Sequence, residues 1–388
     1  MRWRPCGHGT HRTPLVDSRQ TVDTLRAAPQ HGRREPFRDR PASTRPIRRA
    51  GAAKEGNAML QRRTLLGAAL ALPAQALPAP GGGARAQAAY PDRPVRVIVG
   101  FAPGGATDIT TRLLAPRLQA ALGTTYPVVV ENRPGGSGNV ATQAVVNATP
   151  DGHTLLMGTI SALAINPSLF TDLGFNPQAD LTPIGLFADV LNVLVVPVDR
   201  PWKTLPELIA AAKAKPEALN YSSSGIGGAG HLGGALLDHL AGIRTTHVAY
   251  RGGGPAMTDL VSGKMDFSFA TAPTALPLIE AGKLRALAVP TARRSPLLPD
   301  VPAVAETVPG FEVANWYAML GPRGLPQPVA ARLSAALREA LADPQLVSAL
   351  SHHGAEPRPS TPEALARFLK QETEKWRPIL QASGTRPE

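Results

Sequence analysis

Two glycine-rich runs hold the residues whose spacing can do chemistry. Val97-Ile-Val-Gly-Phe-Ala-Pro-Gly-Gly-Ala-Thr-Asp108 and Glu131-Asn-Arg-Pro-Gly-Gly-Ser-Gly-Asn139 each read as an apolar strand that breaks into a loop and then opens a helix. Two such turns belong side by side at the carboxyl edge of a parallel sheet, where open α/β sheets bind ligands. Exposed backbone N–H groups and helix N-termini favour an anion there, either a carboxylate or a phosphate. Asp108 is expected to cap the first helix, leaving the N–H groups of Gly104, Gly105, Ala106 and Thr107 free for a ligand.

Catalytic constellations are missing. The chain has no G-x-S-x-G elbow, no G-x-x-x-x-G-K-[ST] phosphate loop and no H-E-x-x-H pair. Beyond residue 86 the histidines (His153, His231, His239, His247, His352, His353) share no metal-ligand spacing with carboxylates, so neither a metal nor a cofactor is expected. His231 reads either as a cleft residue or as a solvent-facing residue at a helix start. Asp266, after Gly263-Lys-Met, reads either as a ligand contact or as the end of a turn. Gly225-Ile-Gly-Gly-Ala-Gly230 matches G-x-G-x-x-G between a strand and a helix, and Arg251 stands about 20 residues on, where it could hold the phosphate of NADP. An exported NADP-dependent oxidoreductase is therefore the contrasting reading. Against it, no Tyr-x-x-x-Lys pair is present to move a proton, and the unit lies mid-chain.

These loops need a scaffold that brings strand ends together. From Tyr90 onward, short β-branched runs (Val95–Val99, Val128–Glu131, Thr154–Met157, Val193–Val196, Leu219–Ser222, Thr246–Tyr250, Asp266–Ala270, Arg285–Val289) alternate with Ala/Leu-rich helical stretches. The alternation predicts an α/β protein with mainly parallel sheets flanked by helices. Thr204-x-x-Glu207 reads as a capping box and Thr361-Pro362 as another helix start, while Pro116 should kink the first helix. Extended segments at Val196–Asp199 and Pro309–Ala314 break the rhythm, and two crossings between the same domains make a hinge. Domain one is then expected at 90–195 plus 312–388, and domain two at 196–311.

Length and charge set the remaining bounds. At 388 residues the chain suggests two domains. Its net charge of +12 sits at the front: residues 1–58 hold 13 Lys and Arg against 5 Asp and Glu, and 59–86 add 3 Arg and no acid. The remainder carries 25 basic and 24 acidic residues, so nucleic acid is excluded as a partner of the folded part. Residues 1–58 read as a disordered basic arm upstream of the true start at or near Met59. Arg62-Arg63, the apolar Leu65–Leu72 and the site Ala84-Arg-Ala86 make a cleavable export signal, with a loose resemblance to a twin-arginine signal. The single cysteine, Cys6, lies in the arm, so the mature chain has no disulfide.

With these motifs in hand, the chain resembles the receptors of the tripartite tricarboxylate transporter family, also called Bug proteins. The resemblance runs through almost the whole chain beyond the signal. It is carried by Tyr90-Pro-Asp-Arg-Pro-Val-Arg, Phe101–Asp108, Glu131–Asn139, Pro150-Asp-Gly-His-Thr-Leu-Leu, Leu163-Ala-Ile-Asn-Pro-Ser-Leu169, Tyr221-Ser-Ser-Ser-Gly225, Val248-Ala-Tyr-Arg-Gly252 and Asn315-Trp-Tyr317. It implies a non-enzymatic, monomeric periplasmic solute-binding protein, two α/β domains closing like a flytrap on a small carboxylate or related amide. A membrane transporter or sensor kinase would be its partner. Carried over by position, Ala102, Pro103, Gly104, Gly105, Ala106, Thr107 and Asp108 meet the carboxylate. Thr159 and Ser161 lie opposite, and Ser224, Gly225, Gly227, Gly228, Tyr250 and Asp266 act from the second domain. Ala318 and Pro322-Arg-Gly-Leu-Pro326 depart from the family pattern where the chain returns to domain one. Ile160 and Ala162 make one wall apolar, which hints at a ligand with a hydrophobic body.

Overall fold

The computed structural model describes residues 90–170 and 172–383. The basic arm, the export signal and Cys6 lie outside the described residues. Six strands build a first sheet: β1 (Val95–Val99), β2 (Val128–Asn132), β3 (Thr154–Thr159), β4 (Leu181–Val190), β10 (Trp316–Pro322) and β11 (Ala355–Pro357). Five build a second: β5 (Asn192–Pro197), β6 (Asn220–Ser223), β7 (Thr246–Ala249), β8 (Phe267–Thr271) and β9 (Leu284–Ala288). The orders are β11-β4-β10-β3-β1-β2 and β7-β6-β8-β5-β9. Helices flank both sheets, giving the two-lobed α/β architecture that the alternation predicts.

Parallel ladders form where helical crossovers join the strands, β1 with β2 and β3, and β6 with β7 and β8. The other pairings are antiparallel: β10 with β3 and β4, β11 with β4, and β5 with β8 and β9. The sheets are thus mixed instead of mainly parallel. β5 and β10 are entered through extended connections, which lack the helical crossover that a parallel neighbour requires. Every residue of β3 and of β5 is buried, which is why these strands read as unbroken apolar runs.

The first crossing between lobes lies at Leu191, the one residue between β4 and β5, and not at Val196–Asp199. Val193–Val195, expected in the first domain, therefore belong to the second sheet. The apolar pattern of β4 runs on into β5 without a turn signal, so the visible break after Pro197 marks the end of a strand. The chain rejoins the first sheet at Trp316, where β10 begins. The two crossings are bound to each other. Val190 N–H donates to the Asn315 carbonyl at 2.9 Å, and Asn315 Nδ2 donates to Asn192 Oδ1 at 3.0 Å. Asn192 Nδ2 in turn donates to the Phe269 carbonyl at 2.9 Å, inside the second sheet.

Local signals are mostly kept. The Thr204 hydroxyl accepts from Glu207 N–H, but the Glu207 carboxylate receives Lys203 N–H, one residue earlier than a strict capping box would have it. Pro116 is accommodated inside the helix Ala106–Ala121. At the other end of the chain, the helix Pro362–Ser383 covers the first sheet and buries Glu372 between two indoles. Trp316 Nε1 donates to Glu372 Oε2 at 2.9 Å and Trp376 Nε1 at 3.3 Å. Glu372→Ala leaves both indole donors buried and unpaired, an expected loss of about 2–4 kcal/mol of stability. In urea denaturation the midpoint should fall with little change in slope, and Glu372→Gln, which keeps an acceptor, should recover much of the loss.

Candidate functional site

Between the lobes lies a small cavity of about 30 Å³. The helices Ala106–Ala121, Ala229–Ala241 and Gly253–Val261 all begin at its wall, as does the helix Ala272–Glu280 through its cap Thr271. Helix beginnings leave amides without carbonyl partners and carry the positive end of the helix dipole. Among the described residues, no Asp, Glu, Lys, Arg or His lines the cavity. An anion placed there is met by N–H groups and hydroxyls alone.

The first loop is fixed from behind. The Asp108 side chain, buried in the first turn of its helix, accepts from Gly104 N–H at 3.0 Å, from Arg112 Nε at 2.9 Å and from Asn132 Nδ2 at 2.9 Å. Burial pushes this carboxyl's pKa up, but those hydrogen bonds and the Arg112 charge outweigh it and hold the group below the usual carboxylate range. Asn132 Nδ2 also donates to the Phe101 carbonyl, so the second glycine-rich run clamps the first. A Cβ on Gly100 would come within 2.6 Å of Gly138 Cα, which shows how closely the two runs approach.

This geometry corrects the expected cap. Gly105 is the N-cap of the helix, and Asp108 sits three residues further in and reaches back to Gly104. It also reassigns the free amides. Gly104 N–H is taken by Asp108, Gly105 N–H by the Ala102 carbonyl, and Ala102 N–H by the Arg251 carbonyl of the other lobe at 3.0 Å. Pro103 has no N–H to give. Ala106 and Thr107, in the first helical turn, keep theirs.

Seven of the expected residues line the cavity: Gly105, Ala106, Thr107, Thr159, Ser161, Ser224 and Gly228. Thr159 Oγ1 is buried without a hydrogen-bond partner among the described residues. Ala102, Pro103, Gly104 and Asp108 stand behind that wall. Gly225 and Tyr250 line an adjoining cavity of about 190 Å³, which shares Phe101 and Ser224 with the first. Gly227 turns its N–H to His231 Nδ1 at 3.0 Å. Asp266 stands apart. It precedes β8 and accepts from Asn220 N–H and Arg200, whereas Thr271 reaches the cavity from the other end of that strand, roughly 16 Å away.

Sequence reasoning missed Asn192, Thr271, Gly253, Asn315 and Tyr317 as wall residues. Asn315 and Tyr317 stood in a quoted motif but carried no chemistry by spacing. Burial pushes the Tyr317 hydroxyl's pKa up, with the Thr107 and Asn315 side chains beside it pulling the other way.

The glycine loop of the second lobe rests on a histidine pair. The His231 and His247 rings stack at 4.2 Å, and His247 Nε2 lies 2.7 Å from Ser223 Oγ. Ser223 Oγ also accepts from Gly225 N–H. Gly225–Gly230 thus has the strand–loop–helix setting of a dinucleotide loop. However, its Gly225, Gly227 and Gly228 amides are spent within the lobe, on Ser223, His231 and the Gly225 carbonyl.

The fold and the cavity define a class, the two-lobed binding proteins that close around a small solute. Residues 110–385 match the family described as tripartite tricarboxylate transporter family receptor, and the chain belongs to that family, the Bug receptors. A protein encoded in the tcbD-tcbE intergenic region of Pseudomonas sp. strain P51 is 36% identical over 82% of this chain and 94% of its own length. A Rhodopseudomonas palustris protein solved with adipate is 35% identical, with a TM-score of 0.74 over 77% of this chain and all of its own. MatC of the same organism, solved with malate, is 34% identical, with a TM-score of 0.71 over 75% of this chain and all of its own. The family is one of receptors and not of enzymes, so the oxidoreductase reading is overturned.

The histidine pair makes the loop's support sensitive to acid. Burial lowers the His231 pKa to about 4, and burial together with His231 lowers that of His247 to about 3. A group neutral when folded but protonated when unfolded lends stability above its unfolded pKa. That stability is lost as pH falls from about 6.5 toward the folded value. Asp238, raised by burial to about 6, works in the opposite sense between about 4 and 6. The histidine part is isolated by comparison with His231→Asn, which should flatten the rise of stability between pH 4.5 and 6.5. The difference should reach at most about 1.4 kcal/mol per pH unit in chemical denaturation.

Proposed function

We propose that the chain is an exported periplasmic receptor that captures a small organic acid between its lobes and presents it to a membrane transporter or a sensor kinase. The observation that carries this reading is a cavity ringed by helix N-termini and containing no charged side chain. In this reading the carboxylate accepts from the Ala106 and Thr107 amides, with Thr159 Oγ1 and Ser161 beside it. Ser224 and Gly228 approach from the second lobe, and Gly225 and Tyr250 face the remainder of the ligand across the adjoining cavity. Amides suit this task because they are already fixed and dipolar, and no buried Arg or Lys has to be stripped of water. The structures of relatives with adipate and malate support a dicarboxylate as the first ligand to try. The receptor works as a monomer, released from its signal beyond residue 86.

Calorimetric titration with adipate and malate tests the reading. At least one should bind with one-to-one stoichiometry. Thr159→Val keeps the shape and removes the hydroxyl, and should weaken binding about tenfold. Gly105→Val is tolerated by the backbone, since φ is −78°. Its side chain would project between the Ala102 carbonyl and Gly253 N, which lie 3.2 and 3.6 Å from a Cβ placed there, and would prop the lobes apart. Binding should then be abolished with the circular dichroism spectrum unchanged. Unaltered affinity in both variants would place the ligand elsewhere.

A further inference from the structure

Behind the hinge lies a second cavity, about 430 Å³ in volume, within the range of small-molecule sites. Asn192 and Asn315 line both this groove and the interlobe cavity, so the crossing strands are the partition between them. Val190, Leu191 and Val313 make its apolar floor, and Pro296 and Leu297 one apolar side. Both lobes contribute walls. Five charged residues stand around it: Asp189, Glu356 and Arg358 on the first lobe, Arg293 and Arg294 on the second. Arg358 is paired with Asp189 at 2.8 Å, and Arg294 with Glu306 at 2.9 Å. The Arg293 guanidinium and the Glu356 carboxylate have no hydrogen-bond or ion-pair partner among the described residues.

An exposed, unpaired cation on one lobe, an exposed, unpaired anion on the other and an apolar floor between them suit a molecule that carries both charges and an apolar body. We propose that the groove is a second ligand site, for an amphipathic zwitterion such as an α-amino acid with an apolar side chain. Its carboxylate pairs with Arg293, its ammonium group with Glu356, and its side chain rests on Val190, Leu191 and Val313. Bridging both lobes across the back of the hinge, the occupant resists the rotation that would narrow the groove and open the cleft. It therefore favours the closed form, and by linkage a cleft ligand tightens its binding in return. That coupling, but not the groove site itself, rests on the receptor reading above.

Calorimetry of the purified protein with L-phenylalanine as probe tests the site without any cleft ligand. One saturable site is expected, weakened about tenfold by Arg293→Ala and by Glu356→Gln, and blocked by Ala292→Trp, which fills the groove. Phenylpropionate, lacking the ammonium group, and phenethylamine, lacking the carboxylate, should each bind about tenfold more weakly than phenylalanine. Thr159→Val, which alters the cleft without holding the lobes apart, should leave phenylalanine binding intact. Absence of a saturable site would overturn the proposal, as would affinity unchanged in both charge variants or lost with Thr159→Val. Adipate titrated in saturating phenylalanine should bind about fivefold tighter than alone. Equal affinity would overturn the coupling, whereas failure of adipate to bind at all would count against the carboxylate reading and leave the groove result standing.

Discussion

The cradle depends on amides that have nothing else to bond. A helix start leaves backbone N–H groups without carbonyl partners, and such groups are costly to bury unless water or a ligand meets them. Here three helices of two lobes begin around one cavity, with a fourth capped at its wall by Thr271. The positive ends of their dipoles converge on it with no formal charge in the lining. A single lobe offers only part of this wall. Direct contacts between the lobes, such as Ala102 N–H to the Arg251 carbonyl, complete the enclosure.

Such a cradle works only if its loops are rigid, because a mobile amide loses the advantage of being already oriented. Rigidity comes from the charged and polar groups kept just outside the cavity. Asp108 gathers Gly104, Arg112 and Asn132, and the second lobe answers with Ser223, His231 and His247 under its own glycine loop. The two supports differ in kind. The first is ionic and exposed to solvent through Arg112, and so persists well into acid. The second is a pair of neutral rings that must remain neutral, because a proton on His231 Nδ1 would turn the acceptor of Gly227 N–H into a donor.

Much of this was legible in the sequence, because the chemistry is local. A strand, two glycines and a helix start lie consecutively in Phe101–Asp108 and in Gly225–Gly230, so the loops that border the interlobe cavity could be read before any fold was known. What stayed hidden depends on distance along the chain. Asn192 and Asn315 are 123 residues apart and meet only because two crossing strands lie side by side. The crossing at Leu191 was invisible for a related reason. Strand β4 passes into β5 without changing its apolar character, and only the identity of its neighbours separates one lobe from the other. Asp266 misled in the opposite direction: a carboxylate next to a strand looks like a ligand group until the polarity of that strand is known.

The hinge joins these two classes of feature. The first crossing is the single residue Leu191 between two strands and the second an extended segment ending at Trp316, and they are tied by Val190 N–H to the Asn315 carbonyl and by the amide relay from Asn315 through Asn192 to Phe269. The relay begins beside Tyr317, whose hydroxyl adjoins Thr107 at the cradle, and ends within the second sheet. A contact at the cradle is thus connected by short polar steps to the strands that set the angle between the lobes. Buried side-chain amides satisfy both of their polar ends only in a narrow range of arrangements, so they favour discrete lobe positions over a continuum. A receptor that must present two distinct surfaces, one empty and one loaded, needs that discreteness at its hinge more than it needs strong contacts in its cleft.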